Sequence, residues 1–133
     1  MSAVYKIDLH NKLIITSWSG DVIDSELIDA LTHYQQNIKS RPEYRLFDEI
    51  VDFSNANKFH LSSDGIERLV RIGASGDSPE TTTRLAVVVS SQVAFGLARM
   101  YETYRSLVPS GTKVMRVFKN YNDALEWIAN KTS

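Results

Sequence analysis

EIVDFSNANKFHLSSDGI, residues 49–66, holds the sequence signals around which the rest of the chain is organised. The apolar run over residues 46–53 predicts a strand, and the polar run over residues 54–60 predicts a loop. Ser62 has the residue type and the position of a helix N-cap. The helix that it opens carries apolar or small residues along one side, namely Ile66, Leu69, Val70 and Gly73. The stretch therefore predicts a strand, a loop and a helix in succession.

The segments before this stretch predict a hairpin and a helix. Residues 4–9 and 13–18 are rich in β-branched and aromatic residues, and a short polar turn separates them. Asp24 has the position of an N-cap for a first helix. We expect that helix to end near Lys39, because Pro42 disfavours helical geometry in the residue before it. Lys39 lies outside the apolar stripe of the helix, which consists of Leu27, Leu31, Tyr34 and Ile38.

The segments after this stretch continue the alternation of strands and helices. Residues 84–90 contain the aliphatic run LAVVV, which is typical of a strand buried on both faces. Residues 93–107 predict a third helix, residues 113–118 a last strand, and Asn120 caps a final helix. Turn-forming residues separate these elements at 75–83 and 109–111.

The order of elements is ββαβαβαβα, which predicts an α/β fold with one mixed, mostly parallel five-stranded sheet and four helices. At 133 residues the chain is long enough for one buried core, and we expect residues 1–133 to form a single domain. No repeat or low-complexity tract divides the sequence.

Charge and composition exclude several classes of function. Fifteen basic and sixteen acidic residues give a net charge of −1 without a basic cluster, which argues against nucleic-acid binding. The chain has no cysteine, so it has no disulfide and no thiolate chemistry. Neither a secretory signal nor an apolar run long enough to cross a membrane is visible, and we expect a cytoplasmic protein.

The order of elements over nearly the whole chain resembles the STAS superfamily, and particularly its SpoIIAA-like branch of anti-sigma-factor antagonists. The local marks of the resemblance are IVDFS, LSSDG, the helix QVAFGLARMYETYR and the closing DALEWI helix. Proteins of this kind generally bind partners and do not catalyse reactions. The resemblance therefore implies a non-enzymatic, regulatory protein-interaction module. Its docking surface is expected at the loop and helix start, at Asn55, Lys58, His60, Asp64 and Gly65.

In antagonists of this family, a serine or threonine directly before a glycine at the start of that helix accepts a phosphate from a partner kinase. A phosphate there is stabilised by the helix N-terminus and changes the charge of the docking surface. In this chain Asp64 precedes Gly65, and Ser63 and Ser62 are one and two places further back. Ser62 and Ser63 are the candidate phosphoacceptors, whereas the alternative is that LSSDG is simply a capped helix start.

The third helix suggests a second function, because its apolar arc is wider than one contact with a core requires. One alternative is burial of the whole arc, and the others are a homodimer surface or one wall of a pocket for an apolar small molecule or lipid. Gly96 and Ala98 allow close approach of a second backbone or a ligand, and Arg99 and Arg105 would then bind a carboxylate or phosphate at the rim. A similarity of topology to the CRAL-TRIO lipid-exchange fold agrees with the pocket. The candidate ligand or dimer surface comprises Phe95, Arg99, Met100, Tyr104 and Trp127.

Other chemistry has no support in the sequence. His10, His33 and His60 are scattered, and they do not make a metal site. Neither a phosphate-binding glycine loop nor a nucleophile elbow is present, so we expect no cofactor and no catalytic residue. A protein-interaction module is the first expectation, and a protein that binds a small molecule or lipid, associates with a membrane surface or forms a dimer is the alternative.

Overall fold

A computed structural model describes residues 2–77, 82–108 and 113–130. Five strands, four α-helices and one π-helical turn lie within these ranges. They are β1 (Ser2–Asp8), β2 (Leu13–Ile23), α1 (Asp24–Tyr34), the π-turn (Gln35–Lys39), β3 (Asp48–His60), α2 (Ser63–Ala74), β4 (Thr83–Val88), α3 (Gln92–Ser106), β5 (Lys113–Phe118) and α4 (Tyr121–Ala129). The predicted loops at 75–83 and 109–111 lie partly or wholly outside the described residues.

The five strands form one sheet in the order β1-β2-β3-β4-β5. β1 pairs with β2 in antiparallel register, with Tyr5 opposite Thr16, as expected for a hairpin. The remaining neighbours are parallel, and Ile50 of β3 lies opposite Ala86 of β4. The predicted mixed, mostly parallel sheet and the order ββαβαβαβα are therefore confirmed.

The helices cover the two faces of the sheet unequally. α1 packs on α2 and α2 on α3 along one face, whereas α4 alone packs on β3, β4 and β5 on the other. Alternate residues of β4 pack against the helices on opposite faces of the sheet. Leu85 and Val87 pack towards α3, and Ala86 and Val88 pack with Ala124 of α4. The helices α1 to α3 therefore form one layer, and α4 covers the other face.

Residues 54–60 do not form the predicted loop. β3 continues to His60 and pairs in parallel with β2 beyond Ser17, up to Ile23. The prediction was wrong because strand-breaking residues occupy matching places on both strands. The register shifts near Trp18 and again near Asp21, and Gly20 takes a φ of 81°. Bulges of this kind keep two strands paired while they twist.

Two predictions for α1 are also wrong. The N-cap is Ile23, which makes no side-chain hydrogen bond, and Asp24 is the first helical residue. The carboxylate of Asp24 instead accepts hydrogen bonds from Ser62, which itself caps α2 by accepting from the backbone N–H of Gly65. Lys39 is not outside the core but 4% exposed, because the π-turn widens the helix and the following loop folds over it.

The two glycines of α2 and α3 predict opposite effects of the same substitution. A Cβ at Gly65 would lie 2.3 Å from Oδ1 of Asp24, whereas a Cβ at Gly96 would meet nothing within 4 Å. We expect Gly65→Ala to lower the free energy of unfolding by roughly 1–3 kcal/mol, since Asp24 must release Ser62. Gly96→Ala should raise it by roughly 0.5–1 kcal/mol through helix propensity. Urea unfolding followed by circular dichroism measures both, and effects of the same sign would contradict this placement of α1 against α2.

Candidate functional site

A cavity of about 150 Å³ lies between the sheet and the layer of α1, α2 and α3. Side chains from the strands line it on one side and side chains from the helices on the other, and most of them are aliphatic or aromatic. The sheet side contributes Trp18, Val51, Phe53, Val87 and Met115, and the helix side contributes Leu31, Ile66, Leu69, Leu97 and Ala98. The volume matches that of an apolar cavity known to bind benzene or xenon.

A cavity of this size is unusual in a protein interior, where few voids exceed a water molecule. Side chains that line unfilled apolar volume lose packing contacts, which lowers the free energy of unfolding. An apolar ligand that filled the cavity would recover part of that loss.

One end of the cavity is charged and centres on Glu49, which is 5% exposed. Its Oε2 accepts a hydrogen bond of 2.7 Å from the Tyr34 hydroxyl, and its Oε1 pairs with Nζ of Lys113. Nζ of Lys39 lies 3.9 Å from the same oxygen and donates to the carbonyls of Tyr44, Arg45 and Phe47. Glu49 thus has partners on the π-turn, α1 and β5.

The protonation of this cluster follows from burial and neighbouring charge. Burial raises the pKa of Glu49, but Lys113 and Lys39 outweigh burial and hold the pKa below the ordinary value of 4.5. Burial lowers the pKa of Lys39, and the attraction of Glu49 opposes this only in part. Burial also raises the pKa of Tyr34, and the charge of Glu49 adds to that shift. The tyrosine therefore stays a neutral donor to an ionised carboxylate.

A second ion pair closes the same end of the cavity. Nη1 and Nη2 of Arg105 donate to the two carboxylate oxygens of Asp77 at 2.8 and 2.9 Å. Arg105 is 8% exposed and also hydrogen-bonds Tyr101, whose hydroxyl would lie 2.5 Å from a Cβ at Gly73. Gly73 thus lets α3 bring Tyr101 close to α2. Arg105 therefore does not lie at the rim of a pocket, as predicted, but lines the charged end of the cavity as a buried partner of Asp77.

The predicted surface around the third helix is divided between the two faces of the sheet. Phe95 packs on the side of α3, where Nζ of Lys119 lies 4.8 Å from its ring centre. Trp127 packs on the side of α4, with its ring 5.6 Å from that of Phe118. The prediction of one pocket near Phe95, Met100 and Trp127 is therefore wrong, because Phe95 and Trp127 lie on opposite faces of the sheet. The cavity wall on α3 consists of Ala94, Leu97, Ala98, Tyr101 and Arg105.

The other members of that surface lie on the outer parts of α3. Met100 and Tyr104 are half-buried. Arg99 is exposed, and its Nε lies 3.2 Å from a carboxylate oxygen of Glu102. A homodimer surface on this helix stays a prediction.

The predicted docking residues lie together at the opposite end of the sheet from Glu49. Asn55, Lys58 and His60 are exposed on the extension of β3, and Asp64 is exposed in the first turn of α2. Gly65 is buried. Asp21 of β2 accepts a hydrogen bond from the backbone N–H of Lys58, and its carboxylate lies 3.8 Å from Nε2 of His60. These contacts tie the extension of β3 to β2.

The two candidate phosphoacceptors have different surroundings. The Ser62 hydroxyl donates a hydrogen bond of 2.7 Å to Asp24 and accepts one from the backbone N–H of Gly65. A phosphate on Ser62 would remove the O–H that donates to Asp24 and would place two negative groups against each other. Ser63 is the first residue of α2, and both serines are exposed.

Comparison with known proteins identifies the fold. No protein-family model matches the chain, and a search of curated proteins finds no match. A crystal structure of an uncharacterized protein of the DUF3478 family, with a SpoIIAA-like fold, from Shewanella loihica PV-4, superposes with a TM-score of 0.54. The match covers 96% of this chain and 92% of that chain at 12% sequence identity. The chain has a SpoIIAA-like fold. At 12% identity the similarity supports the fold alone, and it does not assign a functional site.

Sequence reasoning did not identify five members of the charged cluster at the end of the cavity, namely Tyr34, Lys39, Glu49, Asp77 and Lys113. A signal existed for Glu49, which alternates with Val51 and Phe53 and must therefore share their apolar face. Lys113 carries the same signal, because it alternates with Met115 and Val117 on β5, whereas Asp77 carries none, because it lies within a segment that reads as a loop. Within the described ranges, no helix of this SpoIIAA-like fold is long and apolar enough to cross a membrane.

The buried carboxylate of Glu49 predicts a pH dependence of stability. Because its folded pKa lies below the ordinary value of 4.5, its contribution is complete above that value and is lost as the pH falls through the folded pKa. We expect Glu49→Gln to be less stable than the wild type at neutral pH, by roughly 3–5 kcal/mol, and to lose less stability on acidification. Urea unfolding from neutral pH down to about pH 3 measures this.

Glu67→Gln, on the exposed side of α2, removes the same charge and serves as the control. Its unfolding curve should follow that of the wild type across the series. Parallel losses of stability in Glu49→Gln and the wild type would contradict the assigned role of Glu49.

Proposed function

We propose that this protein is a non-enzymatic binding protein that holds a small apolar molecule between its sheet and helices α1 to α3. The observation that carries the proposal is the apolar cavity of about 150 Å³. Ligand sites of this kind are concave, mostly apolar and supplied with a few converging polar groups. The cavity has that composition, with Glu49, Lys113 and Arg105 at one end.

The size of the cavity restricts the ligand. Pockets for drug-sized molecules are typically about 300–1,000 Å³, so a cavity of about 150 Å³ suits a single ring or a short acyl chain. A long-chain lipid would require the helices to separate. A small molecule is therefore the proposed ligand, in preference to a membrane lipid.

The polar groups at the cavity support binding in preference to catalysis. Glu49 pairs with Lys113 and Tyr34, and Arg105 pairs with Asp77. Among the described residues at this end, two ion pairs and one tyrosine hydrogen bond engage the charged groups and leave no nucleophile aligned with a base, which a catalytic site needs. Ion pairs of this kind fix side chains and orient a ligand.

Filling the cavity with protein should prevent binding. Ala98 lines the cavity from α3, whereas Ala129 is exposed on α4. We expect toluene to raise the Tm of the wild type by roughly 5–10 °C at about 100 times its Kd. Ala98→Leu should remove most of this shift, and Ala129→Leu should keep it.

Differential scanning calorimetry in the presence of toluene measures these shifts, and xenon binding offers an independent probe of the same volume. A wild type that responds to neither toluene nor xenon would contradict the proposed function. So would an unchanged response of a folded Ala98→Leu variant.

A second candidate function is the docking of a protein partner at the far end of the sheet. The observation that favours it is that Asn55, Lys58, His60 and Asp64 are all exposed at one end of the molecule, on the extension of β3 and the start of α2. In this candidate the partner presents a positive group to Asp64, and Ser63 is the phosphoacceptor. Mapping of phosphate by mass spectrometry on protein from native extract tests the second part.

Charge reversal on α2 tests docking with a matched control. Asp64 lies in the first turn of α2, and Glu67 lies one turn later and is also exposed. We expect Asp64→Lys to reduce capture of the partner from native extract at least roughly tenfold, as for a close charge pair at an interface, whereas Glu67→Lys keeps it. Quantitative pull-down with each variant measures this. Equal capture by both variants would exclude Asp64 from the interface.

A further inference from the structure

The charges at one end of the cavity compensate one another. Among the residues that the structure describes there, the buried cations and anions are equal in number: Lys39, Lys113 and Arg105 against Asp48, Glu49 and Asp77. Asp48 belongs to this balance because its charge acts on Lys39. Burial lowers the pKa of Lys39, and the charges of Glu49 and Asp48 oppose that shift.

The charged groups that line the cavity are also closed in pairs. Lys113 pairs with Glu49, and both carboxylate oxygens of Asp77 accept from Arg105. Lys39 is held by three backbone carbonyls. A charged ligand would lose its hydration and would have to break one of these pairs to gain a partner, which is unfavourable in a buried site. The cavity therefore suits an uncharged ligand.

Three aromatic side chains form a continuous wall of the cavity on the side of the sheet, and we call Trp18, Phe53 and Phe59 the aromatic wall. The rings of Trp18 and Phe53 are stacked, with centres 6.1 Å apart and planes inclined by 15°. Phe59 meets Phe53 edge-on, with centres 5.5 Å apart and planes inclined by 70°. Both distances lie within the range that aromatic pairs prefer, about 4.5–7 Å.

The aromatic wall distinguishes between the two shapes that the size of the cavity admits. A short acyl chain would gain only the burial of its apolar surface, whereas an aromatic ring would also gain stacked or edge-on contacts. Met115 lines the cavity as well, and thioether sulfur makes favourable contacts with aromatic rings. The composition of the wall therefore favours a ring.

We infer that the ligand is an uncharged compound with one aromatic ring, which packs against Trp18, Phe53 and Phe59. The inference rests on the proposed function, since it names the chemical class of the small apolar molecule in the same cavity. The volume of about 150 Å³ limits the ligand to a single ring with small substituents.

Pairs of aromatic and saturated hydrocarbons test the preference for a ring. Toluene is compared with methylcyclohexane, and benzene with cyclohexane, by isothermal titration calorimetry on the wild type. Each Kd is corrected by the partition of the compound between water and hexadecane, which removes differences in hydrophobicity. We expect each aromatic compound to bind at least roughly threefold more tightly than its saturated partner after this correction.

Two further comparisons separate this preference from size and test the absence of charge. Ethylbenzene is larger than cyclohexane, so a preference for ethylbenzene over cyclohexane does not arise from size. Benzoate and benzylammonium carry the ring of toluene with a charged substituent. We expect both ions to bind at least roughly tenfold more weakly than toluene, because neither finds an unpaired partner in the cavity.

Two variants assign the preference to the aromatic wall. Phe53→Leu removes the central ring of the wall, whereas Leu97→Val enlarges the cavity from α3 and keeps all three rings. The preference for aromatic compounds should fall at least roughly threefold in Phe53→Leu and persist in Leu97→Val. If Phe53→Leu does not fold, Phe59→Leu removes the outer ring of the same wall and takes its place.

The outcomes separate this inference from the proposed function. Equal corrected binding of aromatic and saturated hydrocarbons, or binding of either ion as tight as that of toluene, overturns the inferred ligand class and leaves the apolar cavity as a binding site. A preference that the folded wall variant retains overturns the assigned residues. Failure of every hydrocarbon to bind overturns both.

Discussion

Glu49 is a carboxylate buried in the wall of an otherwise apolar layer, and the rest of this structure depends on how its charge is compensated. Removing such a group from water costs several kcal/mol. Tyr34 supplies a hydrogen bond from the end of α1, Lys39 supplies charge from the π-turn, and Lys113 supplies charge from β5. One residue thereby fixes the relative positions of three segments that are far apart in the sequence. The loop after the π-turn is fixed as well, because its carbonyls hold Lys39.

The same arrangement explains why a cavity exists beside a charged cluster. Glu49, Val51 and Phe53 share one face of β3, so a charged position and an apolar wall are continuous by strand alternation. Tyr34 and Tyr101 extend from α1 and α3 towards the charged end, and the small residues Ala94 and Ala98 line the cavity from α3. Large side chains therefore close one end, and small ones leave volume beside it.

Much of the fold could be predicted from the sequence, because its signals are local. The aliphatic run of β4 specifies a strand within the same few residues, and Ser62 and Asn120 cap helices through hydrogen bonds to residues two or three places further on. The extension of β2 and β3 could not be predicted in this way, since each strand looks interrupted alone and only their pairing shows that the bulges match. Lys39 was misplaced for a related reason: helical periodicity does not foresee a π-turn. The candidate cavity depends on contacts between distant segments, and it was placed wrongly when one helix was considered without the sheet.

The two candidate functions occupy opposite ends of the parallel strands. Glu49 and Lys113 lie at the amino ends of β3 and β5, whereas the docking surface lies at the carboxyl end of β3 and the start of α2. In open α/β sheets ligands generally bind at the carboxyl ends of strands, so the charged end of this cavity departs from that rule. The two sites share a wall, since Phe59 and Ile66 line the cavity from the docking side. A substitution there would disturb both sites, so only residues confined to one site, such as Ala98 and Asp64, can tell the two functions apart.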